Sequence, residues 1–109
     1  MTRGSVYWVN LGVVSPPEFG KTRPAVIVSE TVHNEVLDSV VVLPLSTRPG
    51  EIWPLRVAVS VAVTPNAESY VVLPGIRQVS KRRLADPIGN LLRDDMNRID
   101  NAMRAYLGT

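Results

Sequence analysis

Prolines and glycines break much of this chain into short pieces. Nine Pro and seven Gly are spread over 109 residues, and the apolar runs between them have strand length. Residues 5–9, SVYWV, are rich in β-branched and aromatic side chains. Residues 13–21 contain Pro16, Pro17 and Gly20 and predict a loop. Residues 25–29 are apolar at nearly every position, which predicts a strand covered on both faces. Residues 40–45 predict a third strand, stopped by the turn-forming STRPG that follows. Over 56–63, Val57, Val59, Val61 and Val63 alternate with Ala58, Ser60 and Ala62, the period of a half-buried strand. Residues 70–73 and 76–79 predict two more strands, parted by Pro74 and Gly75.

The period changes at the tail. Met96, Ile99, Met103 and Tyr106 recur at helical spacing, with Leu107 beside them. Asp94 and Asp95 suit the electropositive start of that helix, and Gly108 suits its end. Short strands with tight turns, then one amphipathic helix, predict a small β-barrel closed by a C-terminal α-helix. The length fits one domain over residues 1–109.

Composition narrows the chemistry. Hydrophobic residues make up 45% of the chain, enough for a real core. Cysteine is absent, which excludes disulfides and thiolate metal sites. The single His, His33, excludes a His-pair site and lies in a polar, turn-like stretch, where an exposed loop residue is expected. Glu18, Glu30, Glu35, Asp38 and Glu51 are scattered without ligand spacing, so no metal and no other cofactor is expected. No P-loop, dinucleotide fingerprint or nucleophile elbow occurs. The first residues lack an apolar signal core, and no apolar run reaches spanning length. A soluble protein with no membrane partner is expected, and the missing cysteines fit a cytoplasmic location. The net charge of +2 is mild and does not by itself announce a nucleic-acid binder. The cations gather at Lys21 and Arg23, at Arg48, and at Arg77, Lys81, Arg82 and Arg83.

Two junctions carry candidate chemistry. In EFGKTRPAVIVS, Pro24 forces the residue before it toward an extended conformation, so Arg23 leaves the loop in a fixed direction at the mouth of a strand. A guanidinium held this way matches a phosphate. The alternative is an ion pair with a carboxylate such as Glu18, or a strand-end cap. In LPLSTRPG, an apolar strand ends on the hydroxyls of Ser46 and Thr47, followed by Arg48. Strand ends hold side chains well, which suits a functional hydroxyl. Local turn hydrogen bonding is the alternative.

The blocks RGSVYWVNL, KTRPAVIVS, VVLPLST and LPGIRQVSKRRL, in that order, with the tail LLRDDMNRIDNAMRAYLG, resemble the MazF/PemK family of toxins from bacterial toxin–antitoxin modules. The resemblance covers essentially the whole chain. It implies an SH3-like β-barrel of the CcdB/PemK kind that forms a homodimer. It implies a metal-independent endoribonuclease acting on single-stranded RNA, with the ribose 2′-oxygen attacking phosphorus to leave a 2′,3′-cyclic phosphate and a 5′-hydroxyl. Arg23 matches the family's catalytic Arg, and its catalytic hydroxyl falls at or beside Ser46, with Thr47 as the alternate. Glu18 matches an acidic residue in the preceding loop. Phe19 stands where relatives often carry Gln; its ring either stacks on an unpaired base or packs in the core. Arg77 matches a strand residue of the RNA groove, and Lys21, Arg48 and Gln78 complete the expected RNA contacts. A cognate acidic antitoxin is the expected inhibitor, since a groove for a polyanion also takes an acidic disordered tail. Two other readings share the fold. One is a gyrase poison of the CcdB type, which would act through aromatic residues at the end of the terminal helix, where this chain has only Tyr106. The other is an RNA- or protein-binding relative without catalysis.

Overall fold

The computed structural model describes residues 1–12, 21–61 and 67–109. Strands β1 (Ser5–Asn10), β2 (Thr22–Ile27), β3 (Ser39–Ser46), β4 (Arg56–Val59), β5 (Ser69–Val72), β6 (Arg77–Ser80) and β7 (Leu84–Asn90) are joined by helix α1 (Thr31–Val36) and followed by helix α2 (Arg93–Leu107). The strand order is β4-β5-β3-β2-β1-β7, with β6 also on β3, and every pairing is antiparallel. The expected mainly β, SH3-like architecture with a C-terminal helix is present. Among the described residues no ladder joins β4 to β7, so the curled sheet stays open there. Helix α2 packs on β4 and on the 3-10 turn Leu73–Gly75.

The central strands are apolar throughout because both of their faces are covered. Val26, Val28, Leu43 and Leu45 enter one cluster with Val6, Val57, Val71, Leu73, Ile99 and Ala102. The alternate residues Ala25, Ile27, Val40 and Val42 enter a second with Val9, Leu11 and Val79. Successive strand side chains point to opposite faces, so the two clusters sandwich β2 and β3. From α2, Ile99 is fully buried and contributes about 2 kcal/mol by that burial.

Proline placement explains where the ladders stop. Val28 N–H donates to the Val41 carbonyl at 2.9 Å. Bonded positions of an antiparallel pair recur every second residue, which brings Val26 opposite Leu43 and next Pro24 opposite Leu45. Pro24 has no N–H to give, and the β2–β3 ladder ends at Ala25↔Pro44. Pro44 lies where β3 leaves β6, after Val42, and takes up β5 at Leu45. A residue without an N–H is least costly at such a change of partner.

Several elements differ from the sequence reading. β4 ends at Val59, short of the expected 63. Ser60 instead turns its backbone N–H (3.2 Å) and its hydroxyl onto Asp95 in the first turn of α2. Helix α1 occupies a stretch read as turn-like, and His33 is exposed on it. β7 was not foreseen: it contains Pro87 and Gly89 and pairs with β1 through register shifts. On α2, Tyr106 and Leu107, expected on the apolar stripe, are 39% and 53% exposed, because the last turn runs beyond the core cluster. Gly108 ends that helix at φ 75, a conformation open to glycine at little cost. No described helix is long and apolar enough to cross a membrane.

Candidate active-site cleft

The gap left where β2 and β3 part is a cleft of about 660 Å³. Its lining includes Thr22, Arg23 and Pro24 from β2, Leu45 and Ser46 from β3, Thr47, Arg48 and Pro49 from the following turn, Trp8 from β1 and Ser69 from β5. The register accounts for this convergence. Ala25 pairs with Pro44; two residues further along each strand, Arg23 comes abreast of Ser46. The strands have separated by then, since Arg23 pairs with Val9 and Ser46 with Tyr70. A cationic side and a hydroxyl side therefore face each other across a notch that Pro24 keeps from zipping.

On the hydroxyl side, the Ser46 Oγ accepts the Arg48 backbone N–H at 3.1 Å. The turn reading of this serine is thus correct, and its own proton remains for another acceptor. Thr47 is exposed, and among the described residues its hydroxyl has no hydrogen-bond partner. Beyond the turn, Arg56 of β4 reaches back: its Nε donates to the Gly50 carbonyl at 3.1 Å and its Nη2 to the Arg48 carbonyl. The same guanidinium lies over the Tyr70 ring, 5.4 Å from its centroid. The Tyr70 hydroxyl donates to Glu68 at 2.5 Å. That bond, above all, raises the phenol's pKa from the ordinary 10.0, while the Gly50 backbone amide opposes it more weakly.

The structure brings together four of the residues singled out from sequence: Arg23, Ser46, Thr47 and Arg48. Others lie elsewhere. Arg77 donates to the Leu11 carbonyl at 3.2 Å, and Gln78 to the Ser39 hydroxyl at 2.6 Å; neither lines the cleft. Lys21 adopts φ 62 and closes the β1–β2 connection, its carbonyl accepting from Leu11 N–H at 2.8 Å. Glu18 and Phe19 fall outside the described residues. Trp8, Thr22 and Ser69 were not singled out. Trp8 sits opposite Pro24 in the β1–β2 register, a cross-strand pairing that no local spacing signals. Among the described residues, no three His, Cys, Asp or Glu side chains are grouped to hold a metal.

Comparison with known proteins places this arrangement. The chain is 26% identical over 113 residues to the endoribonuclease MazF9 of Mycobacterium tuberculosis (strain ATCC 25618 / H37Rv), covering 98% of this chain and 96% of that protein. It superposes on an endoribonuclease in complex with its cognate antitoxin, from a mycobacterial species, with TM-score 0.80 and 30% identity over 99% of this chain and 95% of the other. The fold also matches MazF from Deinococcus radiodurans at TM-score 0.83 and 21% identity, covering 100% and 97% of the two chains. Residues 2–107 match the family described as PemK-like, MazF-like toxin of type II toxin–antitoxin system, and the chain belongs to that family.

Proposed function

We propose that this protein is an endoribonuclease toxin that cuts single-stranded RNA in the cleft between β2 and β3. The observation that carries this is the convergence of Arg23, Ser46, Thr47 and Arg48 on one notch of nucleotide size. The full-length similarity to endoribonucleases supports it. In the proposed reaction the ribose 2′-oxygen attacks the adjacent phosphorus as its proton passes to solvent, and the bond to the 5′-oxygen breaks as that oxygen takes up a proton from solvent. The products are a 2′,3′-cyclic phosphate and a 5′-hydroxyl. Arg23 binds a non-bridging phosphate oxygen and stabilises the charge that builds there. The Ser46 hydroxyl, already accepting from Arg48 N–H, donates a hydrogen bond to a phosphate oxygen. Thr47 orients the attacking 2′-hydroxyl, and Arg48 holds a neighbouring phosphate. Trp8 offers a ring on which a base can stack. Charge stabilisation of this kind requires no metal.

The proposal extends to assembly. A homodimer of single-domain subunits would join two such clefts into one trough. A cognate acidic antitoxin would occupy the same cations and exclude RNA. The cytoplasm, where RNA is available, is the proposed location. The test uses purified protein and a single-stranded RNA in EDTA, with the ends of the fragments mapped. Cyclic phosphate ends are expected, and Arg23→Ala should lose roughly 100-fold or more in rate at unchanged melting temperature. Full activity in that variant, or trapped gyrase–DNA complexes without RNA breakage, would overturn the reading.

A further inference from the structure

The hydroxyl side of the cleft is held from behind by a residue that does not line it. Arg48 is gripped at both ends of its backbone. Its N–H is bound to the Ser46 Oγ at 3.1 Å, and its carbonyl accepts from Arg56 Nη2. The same guanidinium binds the Gly50 carbonyl through Nε at 3.1 Å. Gly50 has φ 114, a left-handed backbone that few other residues tolerate, so the turn has one sharp corner and Arg56 fastens both of its sides. Beneath Arg56 lies the buried Tyr70 ring, with the centroid 5.4 Å from the guanidinium carbon. Tyr70 is itself fixed by its hydroxyl bond to Glu68 at 2.5 Å. It is also the strand partner of Ser46, so the support and the supported hydroxyl share one rung of the sheet.

We infer that Arg56, seated on Tyr70, is a positioning residue for RNA cleavage: through the Arg48 peptide it sets the direction of the Ser46 hydroxyl. This rests on the ribonuclease reading above. The relay runs from guanidinium to Arg48 carbonyl, across one residue, and from Arg48 N–H to the Ser46 oxygen. Only Arg can serve at this place. Its planar fork binds two carbonyls and stacks on a ring at the same time, whereas the ammonium of Lys is a point donor. Arg56 does not touch substrate in this scheme; its effect appears in the rate of the chemical step more than in RNA affinity.

The experiment compares wild type, Arg56→Met and Arg56→Lys, each alone and combined with Ser46→Ala. Arg56→Met should lower kcat by roughly tenfold, in line with the cost of small misplacements in a catalytic group, while KM changes less than about twofold. Arg56→Lys, which keeps the charge and most of the stem, should recover less than half of the loss. In the Ser46→Ala background the Arg56→Met effect should largely vanish, because the hydroxyl it directs is gone. Hydrogen exchange supplies a readout that needs no RNA: the amides of Arg48 and Gly50 should exchange faster in Arg56→Met, and those of β1 and α2 should not. Equal fold-losses in the two backgrounds, or full recovery with Lys, would overturn the relay. So would unchanged exchange in the turn. A wild-type protein that leaves RNA intact would overturn the ribonuclease reading instead, and the exchange data would still judge the clamp.

Discussion

The two ends of the β2–β3 pair are built from similar residues and put to opposite uses. At one end a serine, Ser29, leaves β2; at the other a serine, Ser46, ends β3. Around Ser29 the polar groups are tied to one another. Its hydroxyl donates to the Asn34 side-chain oxygen at 2.5 Å and accepts Val41 N–H at 3.0 Å. The buried Asn34 amide binds the carbonyls of Met1 (3.1 Å) and Ser29 (2.9 Å). Arg3 Nε takes the Val28 carbonyl at 2.8 Å. At the Ser46 end the strands separate and the polar side chains of Arg23, Ser46 and Thr47 turn into the cleft. The difference teaches that one end fixes the register and the other uses it. A slip of one residue would turn Arg23 to the opposite face.

The comparison can be broken in four ways. Removing the cation should have the largest effect on function: Arg23→Ala loses roughly 100-fold in cleavage rate with melting unchanged. At the sealed end, Asn34→Ala should reverse that pattern. It removes a buried amide group that binds two carbonyls and the Ser29 hydroxyl and should cost about 1–3 kcal/mol of stability by denaturant titration, with cleavage by the remaining folded protein within about twofold of wild type. An Asn34→Ala protein as stable as wild type would refute the division of labour. Next come the hydroxyls. Ser46→Ala and Thr47→Ala should each lower kcat by roughly tenfold at nearly constant melting temperature; a variant that retains full rate removes that hydroxyl from the chemistry. The smallest effect belongs to Tyr70. Its pKa is raised, chiefly by the Glu68 hydrogen bond, so the neutral phenol is favoured in the folded state. Its contribution is therefore fully present below pH 10 and lost as pH climbs through the folded-state value. Above pH 10, wild type should lose stability more steeply than Tyr70→Phe, as read from melting temperature against pH.

The parts of the site legible in sequence are those governed by neighbouring residues. Pro24 dictates the conformation of Arg23, and STRPG marks the strand end that presents Ser46 and Thr47. The apolar density of 25–28 announced a strand covered on both sides. What depends on distant pairing was not legible. Trp8 reaches the cleft only through its position opposite Pro24. Arg56 acts across a turn on Gly50 and Arg48, and nothing in its own neighbourhood signals this. Arg77 looks like any strand cation until the fold carries Leu11 to it. β7 lacks alternation because most of its residues are exposed at an edge, where Pro is tolerated. The extent of β4 was overestimated because Ser60 finds Asp95 rather than a neighbouring strand.

The imino ring at Pro24 has an energetic consequence for binding in the proposed cleft. Two strands that could finish their ladder would close on themselves whenever ligand was away, and each round of binding would begin by tearing those bonds. With the donor missing at the next bonded position, that ladder bond is not there to break. On the ribonuclease reading proposed above, the open strand ends pre-form the cleft, and more of the free energy of substrate association is left for aligning the scissile group.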